Sequence, residues 1–246
     1  MTRALACWAF LVAVVGAPAL ALAGPPYVTD DPEPIPYHHW ELYLSSTHEV
    51  TRAGARGMAP FGEVNFGALP DLQLHLIVPL AYAHDAGGGT SYGPGDVEVG
   101  AKLRFIQEGA VRPMVGTYPM FELPVGNAGK GLGAGRLRVL LPLWLQKSFG
   151  PWTTYGGPAY WINPGTGNRN YWYFGWQVQR RLSEIVAPGV EVFYTTADTV
   201  GGRGNLRFNL GVVLDLTPNH HVLLSAGRSL VGDTLFQAYA GYLFTI

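Results

Sequence analysis

Apolar and polar residues alternate with a period of two along most of this chain, and this pattern restricts the fold more than any other feature. In residues 72–82, leucine, valine and tyrosine at even positions alternate with residues such as Gln73 and His75. The same pattern runs through 97–105 and through 205–216, where Val213 is the one apolar exception. A period of two places alternate side chains on opposite faces of a β-strand. These three segments are therefore predicted to be strands with one apolar face, suited to contact lipid, and one polar face.

Nine further segments show shorter versions of the pattern: 40–50, 61–69, 115–123, 137–145, 153–162, 171–182, 190–196, 222–228 and 236–246. The total of about twelve fits the even strand number of bacterial outer-membrane barrels. Short turns are predicted near 70–71, 109–110, 150–151, 183–184 and 218–219. Longer Gly-rich loops are predicted at 51–57, 84–94, 125–135, 163–170, 198–204 and 229–233. We therefore expect an all-β, antiparallel up-and-down transmembrane barrel with both termini in the periplasm.

The composition favours a barrel in the bacterial outer membrane over a soluble domain. Charged residues make up 13% of the chain and hydrophobic residues 48%, whereas soluble domains carry about 25% charged residues. Tyr and Trp cluster near the predicted strand ends, as in the aromatic belts at membrane interfaces. These residues are Trp40, Tyr82, Tyr92, Trp152, Tyr155, Tyr160, Trp161, Tyr171, Trp172, Tyr173 and Tyr242. The alternative is aromatic packing in a soluble β-sandwich.

The N-terminus resembles a secretory signal peptide. Arg3 precedes an apolar run that is too short to span a bilayer as a helix, and small residues follow up to Ala23. We expect residues 1–23 to be removed, residues 24–36 to form a periplasmic segment and residues 37–246 to form the barrel. The single cysteine, Cys7, lies within the signal, so disulfides are not expected in the mature chain.

Charged residues and one histidine collect on the inward-facing phase of the predicted strands, where they avoid lipid. The predicted lumen set is Glu41, Glu63, His75, Glu98, Lys102, Arg104, Glu122, Arg136, Arg138, Glu191 and Arg207. A charged Arg or Lys facing lipid at the midplane costs about 2–4 kcal/mol, so this phase must point inward. The set can act as a pore lining that selects solutes by charge. It can equally be a network of ion pairs that packs a narrow lumen.

Other polar residues give weaker indications of chemistry. His38 and His39 alternate across a strand, so with Glu41 they favour a position at the periplasmic rim over a metal or acid–base cluster. His48 shares a strand face with Ser46 but lacks a clear third group to orient it, which argues against a lipid-modifying barrel enzyme. Glycines within 126–135 have no strand-then-helix context and indicate a flexible extracellular loop. No catalytic residue, metal site or cofactor is predicted.

The C-terminal strand alternates up to the last residue. Gly241, Phe244 and Ile246 resemble the terminal signal by which outer-membrane barrels are recognised for assembly, although Phe is commoner at the last position. The expected partners are outer-membrane lipid and lipopolysaccharide, the barrel assembly machinery and a small-molecule permeant. The chain carries 16 basic and 17 acidic residues, which does not favour nucleic acid.

Several ordered motifs carry a family resemblance. They are GPPYVTDDP at 24–32, PFGEVN at 60–65, LPDLQLHLIVPL at 69–80, GDVEVGAKLRF at 95–105 and FELPVG at 121–126. Together they resemble the bacterial outer-membrane family named for a putative MetA pathway of phenol degradation. The resemblance implies a barrel that passes small hydrophobic or aromatic compounds, and no set of functional residues comes with it. Two roles are compatible with the Thr29-Asp30-Asp31 stretch: a periplasmic plug or partner-docking tail, and a structural cap.

Overall fold

The structure, a computed structural model, describes residues 24–246, and the predicted signal peptide lies outside them. Almost all of its regular structure is β-strand. The strand segments are β1 (Trp40–Thr51), β2 (Gly54–Leu69), β3 (Leu72–Asp85), β4 (Thr90–Pro94), β5 (Val97–Ile106), β6 (Met114–Thr117), β7 (Met120–Leu123), β8 (Arg138–Pro142), β9 (Trp144–Phe149), β10 (Trp152–Ile162), β11 (Tyr171–Arg180), β12 (Val186–Thr195), β13 (Asn205–Thr217), β14 (His220–Val231) and β15 (Thr234–Thr245). One 3-10 turn, Ala128–Lys130, lies between β7 and β8. Within residues 24–246, no helix is long and apolar enough to cross a membrane.

These segments form a closed antiparallel barrel of twelve strands, as predicted. Three strands are each interrupted once, so that β4 and β5, β6 and β7, and β8 and β9 make one strand apiece. β1 pairs with β15, and the backbones of Trp40 and Ile246 exchange two hydrogen bonds of 2.9 Å at the seam. Gly241 and Phe244 lie on this closing strand opposite β1. Recognition of this strand by the assembly machinery stays a prediction.

The two faces of the wall follow the predicted phase. On β3, Leu74, Val78 and their even-numbered neighbours are exposed on the outside, whereas Gln73 and His75 are buried inside. An outer wall with so many exposed large apolar side chains requires lipid around it. Several aromatic residues expected at the membrane interface instead face the lumen: Tyr155 is 0% and Tyr173 is 6% exposed, Trp161 packs against the same cluster as Tyr173, and Tyr171 stacks on Trp161. Their odd-numbered phase places them on the inner face of β10 and β11.

The connections between strands orient the barrel. One end carries the connections 52–53, 86–89, 124–137, 163–170, 196–204 and 232–233, and the other end carries 70–71, 107–113, 150–151, 181–185, 218–219 and both barrel termini. The longest connections share the first end, which identifies it as extracellular. Three predicted long loops were wrong: 51–57, 84–94 and 229–233 contain tight turns of two to four residues. The adjoining strands continue further than their alternation indicated, and β4 occupies most of the second half of 84–94.

Apolar clusters occupy part of the lumen between the polar residues. One cluster joins Tyr118, Leu140, Trp144, Ala159, Tyr173 and Phe193, and another joins Tyr43, Ala187, Val213, Leu223 and Leu243. Val213, the exception in the alternation of β13, therefore has a packing role: it is 1% exposed on the inner face. These clusters fill part of the barrel interior with side chains, as in other small barrels.

Candidate functional site: a plugged lumen with two vestibules

Residues 24–36, which we call the plug segment, lie inside the barrel. We expected this segment ahead of the barrel in the periplasm. Instead, Thr29 and Asp31 are both 0% exposed, and hydrogen bonds link the segment to strands around the wall. The reason is chemical complementarity: the segment offers backbone N–H groups and carboxylates, and the inward phase of the wall offers partners for both. β1 starts at the periplasmic end, so the segment enters through the periplasmic mouth.

The upper part of the plug segment binds the carboxylate of Glu191. The two carboxylate oxygens of Glu191 accept hydrogen bonds from the backbone N–H groups of Val28 at 2.9 Å and Thr29 at 2.8 Å. The Asn209 side chain donates to the same carboxylate at 2.6 Å. The Thr29 hydroxyl also lies 2.7 Å from the Tyr173 hydroxyl. Glu191 is 0% exposed. A predicted lumen residue thus anchors the plug instead of lining open space.

The middle of the plug segment forms a buried ion cluster with β5. The Lys102 ammonium lies 2.9 Å from Asp30 Oδ1 and 3.1 Å from Asp31 Oδ2. Although burial opposes ionisation, the charge of Lys102 holds the pKa of Asp30 below its usual range. Burial raises the pKa of Asp31 well above its usual range, and the nearby charge of Asp30 adds to this increase. One lysine therefore serves two carboxylates.

The lower part of the plug segment follows the wall towards the periplasm. Gln146 of β9 donates to Glu33 at 2.6 Å, and the Ile35 backbone N–H donates to the Gln73 side chain at 3.0 Å. Burial raises the pKa of Glu33, and the hydrogen bond from Gln146 opposes the increase. Anchors on β3, β5, β9, β11 and β12 therefore hold the segment around the circumference.

Glycines on the inner face leave the space that the plug segment occupies. A Cβ atom on Gly211 would lie 2.7 Å from the Tyr27 ring, and one on Gly189 would lie 2.5 Å from its hydroxyl. A Cβ on Gly175 would lie 2.3 Å from the Thr29 hydroxyl. Sequence reasoning missed these residues. The sequence feature that could have identified them is a glycine on the inward face of each of three consecutive strands. Side chains otherwise fill these positions in a small barrel.

Two cavities approach the plug segment from opposite ends of the barrel. The inner vestibule, on the periplasmic side, has a volume of about 1120 Å³ and includes Glu33, Glu41 and Arg104. The outer vestibule has a volume of about 680 Å³ and includes Glu98 and Arg138. Pro25 and Glu63 line both cavities. The plug segment therefore stands where the vestibules meet.

The connection 124–137 narrows the outer vestibule. The carboxylate of Asp96, just before β5, accepts the backbone N–H of Gly126 at 2.9 Å and of Ala134 at 2.6 Å. This arrangement folds the connection inward, and Leu132 is 5% exposed. The sequence predicted a flexible extracellular loop here. That interpretation missed Asp96, which lies outside the glycine-rich stretch.

The remaining predicted lumen residues include three arginines in local ion pairs, and one further arginine is an exception to the lumen assignment. Arg138 pairs with Glu122 on the neighbouring strand, Arg104 lies 2.8 Å from Asp71, and Arg207 lies 3.4 Å from Glu49. The exception is Arg136, which was wrongly assigned to the lumen. β8 begins only at Arg138, so Arg136 lies exposed in the connection before it.

His75 and His48 lie on opposite faces of the wall and have different hydrogen-bond partners. His75 Nδ1 lies 2.7 Å from Asn65 Oδ1 inside the barrel, and Glu63 is 3.5 Å from the same nitrogen. His48 faces outward and its Nδ1 lies 2.9 Å from the Tyr82 hydroxyl. Within residues 24–246, no group of three or more potential metal-binding side chains is arranged around a common site.

Comparison with known proteins identifies relatives in structure. No protein-family model and no curated protein sequence matches the chain. The COG4313 outer membrane channel from Pseudomonas putida F1 is similar, with a TM-score of 0.73 and 14% identity, over 88% of this chain and 98% of that chain. The KdgM porin (TM-score 0.55, 9% identity) and a NanC porin (0.53, 8%) each cover 98% of their own length and 82% and 83% of this chain. These likenesses confirm the barrel fold, which with the apolar outer wall places the protein in an outer membrane.

Proposed function

We propose that this protein is an outer-membrane channel for small solutes, in which the plug segment divides the path into an inner and an outer vestibule. The observation that carries this proposal is the pair of vestibules, which reach Pro25 and Glu63 from opposite ends. Three proteins of similar structure are an outer membrane channel and two porins, and this likeness supports the same function. Enzymatic chemistry is not part of the proposal.

The vestibule walls suggest which solutes pass. Phe61 and Tyr239 contact each other in the outer vestibule at a ring distance of 6.3 Å, and Leu132 lies on the same cavity. This apolar surface suits an aromatic ring. The sequence resemblance to a family associated with phenol degradation also supports aromatic or hydrophobic permeants.

Charge adds a preference among aromatic solutes. Five carboxylates and three arginines line the outer vestibule, and six carboxylates face three Lys or Arg residues in the inner one. An excess of carboxylates concentrates cations and repels anions. We propose that neutral and cationic aromatic compounds pass more readily than aromatic carboxylates or sulfonates.

Single-channel recording in planar bilayers tests the channel itself. We expect discrete conductance steps from the purified protein, and slower uptake of a permeant when the gene is deleted. Absence of both effects would favour a structural or sensory barrel with a filled lumen. The specific observation behind that alternative is the circumferential anchoring of the plug segment at Glu191 and Lys102.

Bi-ionic reversal potentials test the charge preference. Benzyltrimethylammonium and benzenesulfonate are both permanently charged, so neither crosses the lipid as a neutral form. We expect benzyltrimethylammonium to be the more permeant by at least several-fold. The variant Glu98→Gln should reduce the cation-to-anion permeability ratio because it removes a carboxylate from the outer vestibule. Asp85→Asn is the control, because Asp85 is exposed at the extracellular end of β3 and does not line that vestibule. A preference for benzenesulfonate would contradict the proposed selectivity.

A further inference from the structure

The backbone nitrogen of Gly24 is buried beside the ion cluster of the plug segment. Gly24 N donates to the Tyr155 hydroxyl at 3.3 Å. A Cβ atom built on Gly24 would lie 3.3 Å from Asp30 Oδ1 and 3.6 Å from Asp31 Oδ2. The nitrogen and this Cβ position are bonded to the same carbon, so the nitrogen lies within about 6 Å of both carboxylates. Gly24 therefore sits where a positive charge would have two acidic neighbours.

The buried cluster holds two carboxylates for one ammonium. Its other donors are backbone N–H groups: that of Asp31 donates to Asp30 Oδ1 at 2.7 Å and that of Glu33 donates to Asp31 Oδ1 at 2.6 Å. Asp30 and Asp31 share the single ammonium of Lys102, which contacts both. The Asp31 side chain is 0% exposed, so water does not compensate its charge. Buried charges require pairing, and an unpaired buried carboxylate is strongly unfavourable. Burial and the neighbouring charge of Asp30 raise the pKa of Asp31, which is consistent with two carboxylates sharing one cation.

We propose that removal of the signal peptide after Ala23 creates an α-ammonium at Gly24 that completes this cluster as its second cation. In an unprocessed chain, the Gly24 nitrogen is a neutral amide with one hydrogen. Hydrolysis of the Ala23–Gly24 peptide bond leaves a carboxylate on the released signal and a protonated amine with three hydrogens on Gly24. One of these hydrogens serves Tyr155, and two remain for the neighbouring carboxylates. The processed N-terminus then has a structural function in seating the plug segment.

A mature chain that begins even one residue earlier would carry its charge away from Asp30 and Asp31. The position of cleavage therefore becomes a structural requirement of the lumen. The inference depends on the position of cleavage and on the ion cluster, and it holds whether or not the barrel conducts solutes.

The first test uses the full chain exported to the outer membrane and purified from it. Intact-mass measurement should give a chain that starts at Gly24. N-hydroxysuccinimidyl acetate at pH 7 should then modify the α-amine at least tenfold more slowly in the folded barrel than in denaturant. Buried Lys102 and exposed Lys130 serve as the protected and reactive internal controls. A different N-terminus, or an α-amine as reactive as in the unfolded chain, would overturn the proposal.

The second test moves the charge. An alanine inserted between Ala23 and Gly24 should give a mature chain one residue longer, with a lower melting temperature. In that background, Asp31→Asn should have a smaller effect than in the normal chain, because its partner has been displaced. Asp215→Asn is the matched control: Asp215 pairs with Arg181 and His221, each at 2.7 Å, so its effect should be equal in both backgrounds. Equal effects of Asp31→Asn in both backgrounds would refute the pairing.

Discussion

Two segments occupy the lumen, and the wall holds them in different ways. The plug segment (24–36) is bonded to many strands around the circumference, through groups such as Glu191, Lys102 and Gln73. The connection 124–137 depends on one carboxylate, Asp96, which accepts two of its backbone N–H groups. The plug segment is thus part of the packed interior, whereas the connection is a local fold at the extracellular mouth. Disturbing their anchors should have effects of different extent.

A cysteine reporter can measure each segment separately, because the one natural cysteine, Cys7, precedes the described residues. Thr29→Cys places a thiol at a position that is 0% exposed in the plug segment, and Leu132→Cys does so at one that is 5% exposed in the connection. The labelling rate of a thiol then reports how often its segment leaves the wall. Peptide mapping assigns the label to its site.

The largest effect is expected from Lys102→Met. This change leaves Asp30 and Asp31 without their shared cation, and removing one partner from a buried ion pair costs about 3–5 kcal/mol. Labelling at Thr29→Cys should therefore accelerate by roughly 10²- to 4 × 10³-fold. Labelling at Leu132→Cys should hardly change. The exposed lysine in the connection gives the control Lys130→Met, and equal labelling in the two variants would show that the ion cluster does not anchor the plug.

Asp96→Ala should have the next largest effect, confined to the connection. It removes two hydrogen bonds to a charged acceptor, each contributing about 1.5 kcal/mol. We expect roughly 100-fold faster labelling at Leu132→Cys and a noisier conductance, with Thr29→Cys still protected. The conservative variant Asp96→Asn should be intermediate because its amide oxygen can still accept. If Asp96→Ala also exposed Thr29→Cys, the two segments would be coupled and the comparison above would fail.

The wall was predictable from the sequence, because lipid and lumen impose opposite chemistry on alternate residues of each strand. Leu74 and His75 illustrate this rule, because Leu74 is exposed on the outer wall and His75 is buried inside. The contents of the lumen were less predictable. Residues 24–36 show no alternation, since the segment is not a strand, and its partners are distant in sequence. Asp31 and Lys102, for example, are 71 positions apart.

A third experiment asks whether shape also holds the plug segment. In Gly211→Ala, the added methyl group would lie 2.7 Å from the Tyr27 ring, so the ring or the strand must shift. Overpacking of this kind costs about 1–3 kcal/mol. We expect labelling at Thr29→Cys to increase about tenfold. Gly62→Ala on β2 is the matched control because its added methyl group has no neighbour within 4 Å. Unchanged protection in Gly211→Ala would mean that polar anchors alone hold the plug.

The smallest effect is expected from pH, acting through Glu33. Burial raises the pKa of Glu33 in the docked plug segment, so the docked state binds a proton more tightly than the released state does. Docking is therefore strongest below the ordinary carboxyl pKa of about 4, and it weakens as pH rises through the raised value. Labelling at Thr29→Cys, corrected for thiolate ionisation with a small model thiol, should increase as the pH rises from 5 to 7. The increase should stay below the roughly tenfold per pH unit that one fully titrating group allows. Glu33→Gln should remove this component, since its amide oxygen still accepts from Gln146 without titrating. The same pH dependence in Glu33→Gln would assign the effect to the Asp30–Asp31 cluster instead.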